Sequence, residues 1–310
     1  MLRRIATAVL ALGLTLPGVA GAAEERSAFE GLVDEIGRTM LVRYPEEVTD
    51  LGLSEELGLD DSRLNDLSSE YRSETAALAA DALEQLAAVD PTALTADERV
   101  TLAVSEWYLE DLVTMQGFAD HGYAVNFITG AHANLPEFLA DVHPLEDVKD
   151  AEAFVARLEA SGEQLAQVAD NLARSEAEGN LPTQRGLGIA AWQMGSQTVS
   201  APNHPIRADL AERLESLDLD AAEVERILAE AEAALAEELV PGYQALRSTV
   251  AGAEARSDAT PGVLHHPAGE AYYAAALAHH LSLPVTPAEV HDIGLAEVDR
   301  LKAELLEAMA

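Results

Sequence analysis

The chain has 310 residues, enough for one large domain or two and for a sizeable buried core. Alanine and leucine dominate, aromatic and β-branched residues are sparse and cysteine is absent; this favours helices and excludes disulfides, thiolate metal ligands and cysteine nucleophiles. With 19 basic against 55 acidic residues the formal charge is −36, a field that repels nucleic acid and anionic membranes.

The first residues read as an export signal. Arg3 and Arg4 precede the apolar run Ile5 to Leu16, which is too short to span a bilayer, and Pro17 leads to the small-residue site Ala20-Gly21-Ala22. A signal peptide over 1–22 is expected, followed by a helical domain over 23–310. No cysteine follows the apolar run, so no lipid or other membrane anchor is expected there, and the expected location is periplasmic or secreted.

Beyond the signal, apolar spacing is helical nearly throughout. Phe29, Leu32, Val33, Ile36 and Met40 form one face of a first helix that ends before Pro45. Thr49 to Ser68 is glycine- and turn-rich, a connector. Further helices are expected near Glu70–Ala88, Ala96–Met115, Asp147–Glu178, Arg185–Ser196, Ile206–Leu217, Ala221–Ala251, Glu270–Leu281 and Pro287–Ala310. Thr95 with Glu98, and Thr286 with Glu289, spell capping boxes, and Asp220 with Glu223 gives a similar start. In EVERILAEAEAALAEEL the acids alternate with apolar residues, as on solvated helix faces. The only lysines are Lys149 and Lys302, which fits either a salt-adapted surface or the arginine bias of a GC-rich genome. No segment sustains period-two alternation, so the fold class is mostly α, a multi-helix array. The best internal break is GAEARSDATPG, Gly252 to Gly262.

Tyr123 to Leu145 differs in texture, mixing aromatic residues with Asn126, Gly130, His132, Asn134, Pro136 and His143. It reads either as a binding loop or as a buried connector whose polar groups satisfy backbone atoms. At the C-terminus, Leu301, Leu305, Leu306 and Met309 carry an apolar stripe to the last residue without a capping glycine or proline. Such a helix is expected to pack on something further, either a partner or a missing C-terminal continuation.

GVLHHPAGEAYYAAALAHHLSLP gathers His265, His266, His279 and His280 around Glu270. A zinc peptidase places two histidines four apart on one helix beside a glutamate, and no two histidines here are four apart. Adjacent helical residues diverge by about 100°, which points His279 and His280 apart, and sets Glu270 and His279 on opposite faces. No metal or other cofactor is therefore expected to bind within this chain. The aromatic pairs Trp107-Tyr108 and Tyr272-Tyr273 read as core packing. Nucleophile-elbow, phosphate-loop and dinucleotide motifs are absent.

Three blocks carry a family resemblance. FEGLVDEIGRTMLVRYPEEVTDLGL, YAVNFITGAHANLPEFLADVHPLEDVKDAEAFVARL and PAGEAYYAAALAHHLSLPVTPAEVHDIGLAEVDRL resemble, in order and spacing, the bacterial family called domain of unknown function 885. The most specific parts are Gly269-Glu270-Ala-Tyr272-Tyr273 and Thr286-Pro-x-Glu289-Val-His291. The resemblance implies a largely helical, metallopeptidase-like protein about twice this length. It also implies a zinc motif, a His-Glu pair followed by Pro-Gly-His-His, in a C-terminal half that this chain does not contain. On that reading the chain is inactive alone, zinc belongs to full-length relatives, and a peptide is the substrate. Glu270, Tyr272 and Tyr273 would then line one wall of the cleft. The alternative is a non-catalytic periplasmic helical binding protein.

Overall fold

The computed structural model describes residues 27–260, 262–283 and 285–309. The signal peptide expected over 1–22 lies outside them. The chain divides into two compact units, one ending at Pro261 and the other beginning at Gly262. Among the described residues every regular element is helical, and no helix is long and apolar enough to cross a membrane.

In the first unit, α1 (Ala28–Leu41) starts at a capping box that the sequence reading passed over. The Ser27 hydroxyl accepts from the Glu30 N–H at 3.1 Å, and the Glu30 carboxylate accepts from the Ser27 N–H at 2.9 Å. Two short helices follow, α2 (Pro45–Asp50) and α3 (Ser54–Leu57), so the connector expected from Thr49 is partly helical. Pro45 is pre-set for the first turn of α2, and Gly58 ends α3 at φ 66°. Next come α4 (Ser69–Ala87) and α5 (Ala96–Gln116), the latter opened by the expected Thr95–Glu98 box. Phe29, Val33, Ile36 and Met40 of α1 pack on Ala79, Ala82 and Leu86 of α4 and on Leu102 and Leu109 of α5. The small alanines on α4 let these helices approach closely. Half-buried Tyr108 packs on the same cluster.

A second and larger core surrounds α7. The segment before it holds α6 (Ala131–Glu137), which widens into a π turn over Phe138–Val142, so half of the stretch expected to be irregular is helical. Then α7 (Val148–Ala177) buries Phe154, Leu158, Leu165, Val168 and Leu172 along one face. Burying each such side chain contributes about 1.5–3 kcal/mol. Around it lie α8 (Gln184–Met194), α9 (Pro205–Leu214), α10 (Ala221–Ala234), a π turn over Leu235–Leu239, and α11 (Val240–Arg256). The second π turn precedes Pro241, whose ring cannot follow a regular turn without meeting the carbonyl four residues back. At Gly242 an added Cβ would stand 2.9 Å from Leu165 Cδ1 and 3.3 Å from Gly162 Cα, so α7 and α11 cross backbone to backbone at this pair. α11 runs through Arg256, which narrows the internal break to the residues between Arg256 and Gly262.

The second unit holds α12 (Gly269–Leu281) and α13 (Pro287–Ala308). The Thr286 box forms as expected: its hydroxyl accepts from the Glu289 N–H at 3.2 Å, and the carboxylate accepts from the Thr286 N–H at 2.8 Å. None of the described residues of α13 is buried.

Candidate functional site

The residues singled out in the sequence sit at the start of α12. Gly269 is required there by the backbone, because a Cβ would collide with the Val263 carbonyl oxygen. Ala268 before it takes a left-handed φ of 52°, and Ser282 after the helix one of 53°. Glu270 and Tyr273 lie one turn apart and are exposed, Tyr273 at 41%, while Tyr272 is half-buried. Burial raises the Tyr272 hydroxyl above its ordinary pKa. Core packing therefore does not hold for Tyr273. The histidine pairs also differ from the helical-wheel expectation. His279 and His280 turn their rings edge to face with centroids 4.9 Å apart, because side-chain torsions offset the divergence of their Cβ atoms. The His265 and His266 rings stand 4.0 Å apart. Among the described residues, no three or more His, Asp or Glu side chains gather into a group that could hold a metal ion.

In the first unit, Tyr123–Leu145 turns out largely as a buried connector. Val125, His132, Leu135, Leu139 and His143 are buried, whereas Phe127 and Ile128 at its tip remain exposed. Asn126 shapes that tip, its Oδ1 accepting from the N–H groups of Ile128 at 3.0 Å and Thr129 at 2.7 Å. Pro136 leaves the His132 carbonyl without a helical donor, and the buried Tyr243 hydroxyl donates to it instead at 2.7 Å. On the far side, Arg213 of α9 donates to the carbonyls of Leu139 and Ala140 at 3.1 Å and of His143 at 2.6 Å, capping the π turn.

His143 belongs to a closed polar network centred on Arg157, a fully buried side chain of α7. The guanidinium donates to the Arg63 carbonyl at 3.0 Å, to Thr49 Oγ1 at 2.5 Å and to His143 Nδ1 at 2.5 Å. A guanidinium can only donate, so the imidazole proton is on Nε2, which reaches the Asp150 carbonyl at 2.9 Å. Burial pushes the His143 pKa down to about 4 and that of Arg157 down to about 10. Asp61, 3.8 Å away, supplies the counter-charge. Nearby, loss of water raises the Glu46 carboxyl, which accepts from the Asn65 N–H and from Gln164. Every strong donor here is engaged by the protein itself, so the network holds α2, the Asp61–Arg63 stretch and the connector onto α7. It does not present a reactive group.

A concave surface of about 560 Å³ opens between α9 and α10, with Leu214, Leu217, Leu219, Val224 and Leu228 on its floor. A neighbouring hollow of about 380 Å³, beside the turn Ala201–Asn203, shares Ala229 and Glu232 with it. Sequence reading missed this groove. Its signal was Leu214, Leu217 and Leu219 carrying apolar spacing past the end of α9, where the sequence reading extended the helix to Leu217 instead.

The chain matches the description "bacterial protein of unknown function" over residues 45–310, so residues 29–44 of the first resembling block precede the matched stretch. None of the curated proteins matches. A crystal structure described as that of the putative lipoprotein from Colwellia psychrerythraea matches with a TM-score of 0.76 at 20% identity. That match covers 88% of this chain and 49% of the solved one, so the chain spans about half the length of that structure. At this identity the likeness shows a shared fold alone. With most of its length from Pro45 onward inside the match, the chain belongs to the bacterial family called domain of unknown function 885.

Proposed function

We propose that this chain is the N-terminal half of an exported, metallopeptidase-like hydrolase, inactive alone, whose zinc motif lies on polypeptide that these residues do not include. The observation that carries the reading is the surface of α13. Ile293, Leu295, Val298, Leu301, Leu305 and Leu306 are exposed there, from 53% at Leu301 to 61% at Val298 and Leu306, and Met309 just past its end is 75% exposed. So much uncovered apolar surface on one helix marks a face that packs against further protein. The half-length match to the solved relative supports a second half as that partner, and the description of that relative as a putative lipoprotein supports export. On this reading Glu270, Tyr272 and Tyr273 contribute one wall of a peptide-binding cleft. Zinc held by the missing half would supply Lewis acidity toward the peptide carbonyl and a bound, activated water. The described residues offer no ligand set for it, so no step through zinc is assigned to this chain.

The test has two arms. The purified 310-residue chain should hold zinc well below one equivalent and hydrolyse no peptide; stoichiometric zinc with turnover would overturn the inactivity. The reading frame after Ala310 should continue into a His-Glu pair followed by Pro-Gly-His-His. A stop codon there, with a soluble monomer on purification, would overturn the half-enzyme reading in favour of a stand-alone binding protein.

A further inference from the structure

We propose that the groove between α9 and α10 docks a cationic amphipathic segment of a partner protein. The inference stands whether or not the chain is half of an enzyme, because the groove lies wholly within the first unit. Its floor is apolar: Leu217, Leu219, Val224 and Leu228 are anchored on the main core yet only half-buried, so their outer faces remain open. The two hollows join at Ala229 and Glu232 and follow α10 and the start of the π turn after it, from Ala221 to Ala236. At 1.5 Å per residue that length takes a peptide helix of about four turns. Apolar side chains spaced three and four apart on such a helix would seat on the leucines.

Charge decides which helix. The rim carries Glu215, Glu225 and Glu232, and its one cation, Arg207, is engaged by Glu232 at 2.8 Å. Glu215 and Glu225 therefore face the groove mouth with no basic counterpart among the lining residues. A second copy of this chain is a poor occupant. Each copy carries −36, and the exposed helix α13 bears Glu289, Asp292, Glu297, Asp299, Glu304 and Glu307 against Arg300 and Lys302. Lysine or arginine flanking the apolar face of a partner helix would instead meet Glu215 and Glu225, adding register and association rate to the apolar contact.

The experiment measures fluorescence anisotropy of a 14-residue peptide of leucine and lysine, with all leucines on one helical face, in about 0.15 M salt so that diffuse charge attraction is screened. A scrambled peptide of the same composition serves as its control. The amphipathic peptide is expected to bind at least about tenfold tighter than the scramble, a difference of about 1.4 kcal/mol. The double variant Glu215→Lys with Glu225→Lys should lower its affinity by about tenfold. Changing Glu84 and Glu110 to lysine, two exposed positions on α4 and α5 with the same change in net charge, should alter it less than about twofold. Leu228→Asp should weaken binding while circular dichroism stays that of a folded helical protein. Equal binding of the scramble, or equal loss in the Glu84 and Glu110 variant, would reduce the effect to net charge and overturn the proposal. Binding that survives all the groove variants would place the peptide elsewhere, for instance on α13, and would overturn it too.

Discussion

His132 and His143 lie within one connector and are equally hidden at 2% exposure, yet their surroundings differ. His143 spends both ring nitrogens on hydrogen bonds, whereas among the described residues neither ring nitrogen of His132 makes a hydrogen bond of good geometry, the nearby Gln193 side chain acting on it more weakly. The His132 ring instead lies over Gly130, where a Cβ would stand 2.7 Å from Cε1. Burial brings its pKa down to about 4. The sign of the consequence follows from proton counting. The unfolded chain takes up a proton near 6.5 and the folded one only near 4, so stability present above pH 6.5 is lost as pH falls through that window. The loss reaches about 3 kcal/mol for the one residue. Glu46 works against it, since a raised carboxyl favours the folded state at low pH. His132→Leu should cost little at pH 7, because an apolar side chain replaces a buried polar one without a partner. Its stability relative to the parent should then rise by about 3 kcal/mol between pH 7 and pH 4, followed by urea denaturation. Parallel pH curves for parent and variant would show that this ring does not sense acid.

Among the elements, what the sequence revealed depended on whether the cause was local. The Thr95–Glu98 and Thr286–Glu289 boxes each span four residues, and both formed as read. The heptad-like face of α1 was equally plain, since Phe29, Val33, Ile36 and Met40 announce their own periodicity. The helix running through Pro136 was not legible, because the donor that satisfies the His132 carbonyl is Tyr243, 111 residues away. For the same reason His143 could not be read as a network member: its partner Arg157 is fixed only once α7 is in place. The Gly162–Gly242 crossing likewise needs two helices at once, and it can be tested. Gly242→Ala drives a methyl against Leu165 Cδ1 and the Gly162 backbone, an overpacking that costs about 1–3 kcal/mol. Gly162→Ala meets chiefly the exposed Glu238 side chain, which can swing away, and gains up to about 1 kcal/mol of helix propensity. Thermal melts should therefore lower Tm for the first variant and hold or raise it for the second. Equal losses at both positions would mean that the crossing is not set by this contact.

For the molecule as a whole, the distribution of buried apolar side chains separates the two units. Among the described residues, the hydrophobic clusters are built from residues between Phe29 and Ala253. In the second unit, α13 buries nothing and α12 buries only Gly269. Within that unit the Thr286–Glu289 box supports the start of α13, and isolated helices of such length are marginal in water even with good caps. The first unit, which holds these clusters, is expected to carry the cooperative stability. A chain ending at Thr260 should unfold in a single transition with a Tm within about 4 °C of the full chain, the shift that about 1 kcal/mol produces at this size. The full chain should bind more of a dye that reports exposed apolar surface than the shortened one, since Val298, Leu301, Leu305 and Leu306 are removed with the second unit. A shortened chain that melts more than about 10 °C lower would instead mean that the second unit contributes several kcal/mol to the core. In that case the apolar face of α13 could no longer be read as waiting for further protein, and the half-enzyme reading would lose its main support.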